Sequence, residues 1–152
     1  MNEDSPRDHL SVGVIIPTRN RADMLHNTLE ALTRQTRAPD EVIVVDNGST
    51  DNTRQVIERF EDLLPVRYFY EPVPGAGQAR NTGIRHANSE VLAFTDDDCI
   101  PDSDWLHFIE LSFLRDPAIG MVAGKVTPKL GGATWAERFA AVNHLVCEGR
   151  AP

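Results

Sequence analysis

Cysteine is scarce: the 152 residues contain two, Cys99 and Cys147. They show no C-x-x-C spacing and are too few for a disulfide framework, which excludes a small disulfide-stapled scaffold and fits a reducing, cytoplasmic setting. The five histidines (His9, His26, His86, His107 and His144) form no zinc-ligand pattern. No apolar run approaches the roughly 18 residues of a membrane span. The opening MNEDSPRDHL is polar and acidic, without the apolar region of a secretory signal, so neither a span nor a standard signal is expected. Basic charge is in deficit as well, with 15 Lys plus Arg against 23 Asp plus Glu and a formal charge of −8. Nucleic acid is therefore not an expected partner, because such binding needs a basic face to neutralise phosphates. A phosphorylated ligand could approach this acidic chain only through a local device, such as a metal ion or a helix N-terminus.

What is present suffices for one ordinary folded domain: 41% hydrophobic and 25% charged residues in a length that suits a single core. Five apolar, β-rich runs recur along the chain, SVGVIIP (11–17), EVIVVD (41–46), VRYFY (66–70), EVLAFTD (90–96) and IGMVAGKV (119–126), and read as strands. Helical spacing lies between them. Leu25, Leu29 and Leu32 mark a first helix, with Asn20 as a possible N-cap and Asp23 in its first turn. Val56, Ile57, Phe60 and Leu63 mark a second over 53–63, and 76–87 and 105–114 a third and fourth. Alternation of nearly continuous apolar strands with helices predicts an α/β fold, a three-layer α/β/α arrangement on a mainly parallel sheet with right-handed crossovers. Residues 1–10 are expected to be a flexible tail, 11–126 the α/β domain, and 127–152 a loop and an amphipathic helix with Trp135, Phe139, Val142 and Val146 on one face. That face reads as a packing stripe, with membrane-surface contact as the alternative.

Ligands of parallel sheets bind at the carboxyl ends of the strands, and three polar clusters stand there. The first strand runs into Pro17-Thr18-Arg19-Asn20-Arg21, the second into Asp46-Asn47-Gly48-Ser49-Thr50-Asp51, and the fourth into Thr95-Asp96-Asp97-Asp98-Cys99. Taken singly, the first two are compatible with helix caps and turns. Three adjacent carboxylates repel one another and are harder to explain as caps. If that segment is extended, Asp96 and Asp98 project to one side, roughly 7 Å apart at Cα, and Asp97 to the other. Oxygen ligands in low number, without nearby His or Cys, suit Mg²⁺ or Mn²⁺ held jointly with a substrate phosphate. Other phosphate devices match poorly. Gly124-Lys125 has no upstream P-loop glycine, and Gly75-Ala76-Gly77-Gln78-Ala79-Arg80 departs from the dinucleotide fingerprint at its last position. Arg80, in the first turns of the third helix, could meet a phosphate or pair with an Asp.

In order, VIIPTRNR, EVIVVDNGSTDNT, PGAGQARNTGI and VLAFTDDDCIPDSDWL resemble the successive signature segments of family 2 glycosyltransferases with the GT-A fold, over about residues 11–126. The resemblance implies a metal-dependent enzyme that transfers a sugar from a nucleotide-diphospho-sugar, UDP-linked in first expectation, to an acceptor hydroxyl with inversion. Pro17, Thr18 and Asn20 would line the nucleotide pocket, Asp46 would accept a hydrogen bond from the base, and Arg80 would contact the nucleotide. Asp96 to Asp98 correspond to the DXD motif, with Asp96 and Asp97 on the nucleotide-sugar side and Asp98 on a Mg²⁺ or Mn²⁺ ion. The acceptor, whether sugar, lipid or protein, is not identified, and peripheral membrane association stays compatible with the sequence. In the family a general base, often beside a Glu-Asp pair, follows downstream; no such pair follows Asp98, and Glu137 and Glu148 are candidates by default. The chain is thus expected to be the N-terminal donor-binding portion of such an enzyme, incomplete at its C-terminus. The alternatives are a non-catalytic nucleotide-sugar-binding module or an inactive fragment. A receiver-type signalling domain would need its acidic pair after the first strand, where Thr18-Arg19 stands, and a sugar nucleotidyltransferase would need a glycine-rich loop there.

Overall fold

Strands and helices alternate without exception over the residues that the structure, a computed structural model, describes, 8–126. The order is β1 (Val12–Thr18), α1 (Ala22–Thr33), β2 (Glu41–Asp46), α2 (Thr53–Glu58), β3 (Val66–Tyr70), α3 (Ala76–His86), β4 (Val91–Phe94) and α4 (Trp105–Arg115). The chain divides into two units after Leu114, and all four strands belong to the first.

The four strands form one parallel sheet in the order β3-β2-β1-β4. Every residue of β1 and β2 is buried, as expected of central strands covered on both faces. Alternation along them divides the core. Val12, Val14, Ile16, Val42 and Val44 pack with Leu25, Leu29 and Leu32 of α1, Val56 and Ile57 of α2, and Leu106 of α4. Ile15, Ile43 and Val45 pack with Ala79 of α3 on the other face. The sheet thus lies between two helical layers, as the sequence pattern predicts. The α3 layer sits unusually close: a Cβ placed on Gly83 would lie 2.5 Å from Cγ2 of Ile15, so glycine is what lets α3 rest on β1.

Two sequence expectations are corrected. Residues 119–126 form no strand; Met121 and Val126 are 53% and 54% exposed, and no ladder bonds hold the segment. Strand preference is realised only against a paired neighbour, and a β-rich sequence does not carry that neighbour with it. The second helix ends at Glu58 rather than at residue 63. Beyond it the chain tightens into turns, with Phe60 N–H donating to Ile57 O (2.9 Å) and Leu63 N–H to Phe60 O (3.0 Å). Pro65 disfavours helical backbone at Leu64, so the chain must leave the helix before it; Phe60 and Leu64 nevertheless stay buried. The 127–152 segment, including the Trp135 stripe, lies outside the described residues, as do 1–7.

At the amino edge of the sheet, carboxylates tie distant segments together. Glu41 Oε1 accepts the N–H groups of Asn88 (2.7 Å) and Ser89 (2.8 Å) and the Ser89 hydroxyl (2.8 Å), and Oε2 accepts Arg67. Glu110 of α4 accepts Leu10 N–H (2.9 Å) and Arg37 Nε (3.1 Å). Burial alone would raise both carboxyls, but these donors outweigh it and hold both below their ordinary 4.5. A carboxyl that is lowered on folding binds fewer protons in the native state, so its stabilisation is present above pH 4.5 and is lost as pH falls through the folded value. Thermal unfolding measured from pH 7 to pH 3 should therefore show a melting temperature that starts to fall near pH 4.5, with a shallower acid limb in Glu41→Gln. An unchanged limb in that variant would deny Glu41 the role.

Candidate functional site

Because β2 and β4 flank β1 on opposite sides, the connections leaving β1 and β4 diverge and a crevice opens at their carboxyl ends. A cavity of about 480 Å³ occupies it, lined by Pro17, Thr18, Arg19, Arg21, Asn47, Gly75, Ala76, Arg80, Asp96, Asp97 and Asp98. A second cavity of about 500 Å³ includes Glu41 and Arg67 at the opposite edge, but those charges already serve each other and the backbone there. Strand-end chemistry gathers in the first.

The triple aspartate is not extended. β4 ends at Phe94, and Cys99 N–H donates to Asp96 O (3.2 Å), closing a turn, so the alternation expected of Asp96, Asp97 and Asp98 does not apply. Their environments differ instead. Asp97 is buried; its Oδ2 accepts the Thr18 hydroxyl (2.8 Å) and its Oδ1 accepts Arg21 Nη1 (3.1 Å). The same Arg21 nitrogen donates to Asp98 Oδ2 (3.0 Å). Arg80 pairs with Asp96. Asp96 and Asp98 are about half exposed, at 53% and 47%. The hydroxyl of Thr28, on α1, lies 2.8 Å from the carbonyls of both Asp97 and Cys99 and fixes the turn from behind. Two arginines thus relieve the mutual repulsion of three carboxylates. The hydrogen bond to Asp97, then the charges of Asp97 and Asp98, push the Arg21 guanidinium to an even higher pKa than usual.

Sequence-expected residues divide into two groups. Pro17, Thr18, Arg80, Asp96, Asp97 and Asp98 all line the cavity. Asp46 and Asn20 stand behind it. Register pairs Asp46 with Thr18 across β1 and β2, and its carboxylate accepts Ser49 N–H (2.7 Å) and the Tyr68 hydroxyl (3.1 Å). Burial, then the charge of Asp46, raises the Tyr68 phenol. Asn20 has a left-handed backbone (φ 52°); its side-chain oxygen accepts Thr50 N–H (2.7 Å) and its own N–H donates to Ser49 Oγ (2.9 Å). It links the β1–α1 and β2–α2 loops rather than capping α1. The cap position is Arg21, and Asp51 Oδ2, from the other loop, accepts the N–H of Ala22 (3.1 Å).

Asn47 was legible only as a turn residue. Its Nδ2 donates to the carbonyls of Glu71 (2.8 Å) and Val73 (2.7 Å), and its Oδ1 accepts Gly75 N–H (2.7 Å). These three bonds hold the wall formed by Gly75 and Ala76. Glu71 braces the same loop: its Oε1 accepts Val73 N–H (2.8 Å) and its Oε2 accepts the Thr82 hydroxyl, and those two donors hold the carboxyl low. The signal available in the sequence was the Asn47-Gly48 pair, which is equally a common turn. Glu137 and Glu148 lie outside the described residues.

Among the described residues no three His, Cys, Asp or Glu side chains are grouped so as to hold a metal ion on their own. The exposed Asp96 and Asp98 carboxylates do suit a hard cation that takes one or two protein oxygens and completes its shell from phosphate and water. No helix among the described residues is long and apolar enough to cross a membrane.

Comparison with known proteins agrees with this geometry. The family model described as Glycosyl transferase family 2 matches residues 13–144. Glycosyltransferase AglE of Haloferax volcanii is 37% identical over 134 residues, 84% of this chain and 43% of that protein. Among solved structures, the mannosyltransferase PcManGT of Pyrobaculum calidifontis, in complex with GDP-Man and Mn²⁺, superposes with a TM-score of 0.66 at 34% identity, covering 76% of this chain and 35% of that one. S. aureus TarS 1-349 in complex with UDP-GlcNAc gives 0.62 at 28% identity, covering 70% and 32%. The chain therefore spans less than half the length of each of these relatives. With its parallel sheet, its ordered strand-end motifs and a family match over most of its length, the chain belongs to glycosyl transferase family 2 and has the GT-A fold.

Proposed function

We propose that residues 11–126 form the donor-binding part of a glycosyltransferase that transfers a sugar from a UDP-sugar, with Mg²⁺ or Mn²⁺, to an acceptor hydroxyl with inversion. The observation that carries this reading is the convergence of Thr18, Arg21, Arg80 and the three aspartates on one cavity at the reversal of strand order. Nucleotide sugars in the related PcManGT and TarS structures support the substrate class, and Mn²⁺ in the former supports the cation. UDP in preference to GDP rests on the sequence resemblance.

In this reading Pro17 and Thr18 form the floor under the nucleotide, while Asn20 fixes the loop beside it. Asp46 has acceptor capacity left beyond Ser49 and Tyr68 and takes a hydrogen bond from the base. Arg80 reaches the nucleotide, Asp96 serves the ribose side, and Asp97 positions Thr18 and Arg21 from beneath. Asp98 offers its carboxylate to the cation. A bound cation would supply charge stabilisation for the departing nucleoside diphosphate. The general base and the acceptor site belong to residues outside those described, with 127–152 as the beginning of the acceptor-binding part. A reducing, cytoplasmic setting accords with the cysteine usage.

Calorimetric titration with UDP tests the donor reading: binding should be clear with Mn²⁺ and weak in EDTA, because Arg21 and Arg80 are already engaged by the aspartates and the half-exposed carboxylates of Asp96 and Asp98 repel a diphosphate unless a cation bridges them. Equal affinity in both conditions would remove the cation. Asp46→Ala should weaken both UDP and uridine by roughly 10- to 100-fold, the worth of one hydrogen bond to a charged acceptor. Uridine competition isolates the base contact. Should uridine affinity be unaltered while UDP affinity falls, Asp46 shapes the turn and does not bind the base.

A further inference from the structure

Asp98, the carboxylate assigned to the cation, already has a cationic partner. Arg21 Nη1 sits 3.0 Å from Asp98 Oδ2 and 3.1 Å from Asp97 Oδ1, so one nitrogen bridges both. The two ends of that bridge are unequal. Asp97 is buried and is held by the Thr18 hydroxyl, whereas the side chain of Asp98 is about half exposed. Arg21 is itself half exposed and lines the cavity. No role for this arginine follows from the sequence motifs alone.

We infer that Arg21 is a resident counter-cation of the donor site, a positioning residue that occupies Asp98 until a divalent ion takes its place, and that remains anchored through Asp97 after the exchange. This rests on the donor-site reading above. A divalent ion at Asp98 would stand within a few ångströms of the guanidinium, and the two like charges exclude each other from one carboxylate. Metal alone therefore binds weakly. When the ion arrives with a diphosphate, the negative charge it brings meets an Arg21 freed on its Asp98 side, and the exchange becomes favourable. The outer carboxylate of the triad is thus neutralised in both states, once by the protein and once by the ion. Arg80 and Asp96 make a separate pair and do not share this contact.

Mn²⁺ titration without nucleotide, followed by the electron paramagnetic resonance signal of free Mn²⁺, reads the exchange directly on the full 152-residue chain. Arg21→Gln can keep a hydrogen bond to Asp97 while losing the charge, and circular dichroism melting checks its fold. This variant should bind Mn²⁺ roughly five- to tenfold more tightly than the parent, a gain limited by solvent screening at a half-exposed pair. Arg21→Lys, which retains the charge, should stay near the parent. In an Asp98→Asn background Arg21→Gln should bring no gain. Unchanged or weaker Mn²⁺ binding in Arg21→Gln would overturn the inference, and so would an equal gain in the Asp98→Asn background, which would mean a diffuse field effect. Absence of Mn²⁺ binding in both parent and variant would overturn it as well. UDP titrated in parallel separates the two readings: Mn²⁺ behaviour as expected with no UDP binding would sink the donor site and leave the exchange standing.

Discussion

Asp98→Asn is expected to abolish the Mn²⁺-dependent part of UDP affinity, a loss of roughly 100-fold at saturating Mn²⁺, with little change in stability. The asparagine keeps the shape of the side chain and one oxygen but removes the charge that draws a hard cation. Metal affinity is sensitive to such changes, with losses of order 10- to 100-fold even from residues that only orient a ligand. The fold has little at stake. Asp98 is about half exposed, its ion pair with Arg21 is of the surface kind, worth roughly 0–1 kcal/mol, and Arg21 keeps Asp97. UDP titration with Mn²⁺ and with EDTA, on parent and variant, gives the increment, and a melting curve gives the stability. A large fall in melting temperature with the increment preserved would make the aspartate cluster a structural device.

The second large effect is expected far from any charge. Gly83→Val should lower the melting temperature by roughly 5–10 °C, from an overpacking cost of about 1–3 kcal/mol in a domain of this size. A Cβ alone would stand 2.5 Å from Ile15 Cγ2, and its next neighbours would be Cγ1 and Cδ1 of the same residue at 3.4 Å. Ile15 is fully buried in the middle of a central strand and β-branched, so its Cγ2 methyl has little freedom to retreat. The strain must go into α3. That helix carries Arg80 one turn earlier and begins at the Gly75-Ala76 wall of the cavity, so UDP affinity should fall together with stability. Scanning calorimetry with UDP titration checks both. A melting temperature within about 2 °C of the parent would show that α3 can lift off β1 at little cost.

Much of this architecture is written locally. EVIVVD and VRYFY give β2 and β3 with both ends correct, because Asp40 and Asn47-Gly48 punctuate the first run and Pro65 and Pro72 stand close around the second. Parallel pairing then puts all carboxyl ends at one edge, which is why Thr18 and the aspartates are expected together without a structure; Arg80, on α3, joins them through the family resemblance, and Asp46 stands behind the cavity they line. The pairings within the site were not legible. Arg21 finds Asp97 across 76 residues and Thr18 finds it across 79; alternation sets Asp97 apart from Asp96 and Asp98, but it names neither of these partners and assumes an extended segment that the turn replaces. The burial of Asp97 is set by the turn closing on Asp96 O and by Thr28 behind it. Asn20 shows the same limit from the other side. Its composition suits a cap, but a left-handed backbone turns its side chain to the neighbouring loop. The 119–126 run marks where pattern alone misleads, since its apolar, β-rich composition is that of a strand but pairing is a property of two segments.

The central position of β1 also has a consequence for synthesis of the chain. Val12 pairs with Val91, so one edge of the most buried strand stays without its partner until 79 more residues have been made. At roughly 5–20 residues per second this interval is about 4–16 s. Throughout it, Val12 to Ile16 present an open backbone edge flanked by large apolar side chains, the combination that recruits foreign strands. Growth conditions that slow elongation while β1 is outside the ribosome and β4 is not should therefore increase aggregation of nascent chains more than equal slowing once Val91 to Phe94 have emerged and closed the edge.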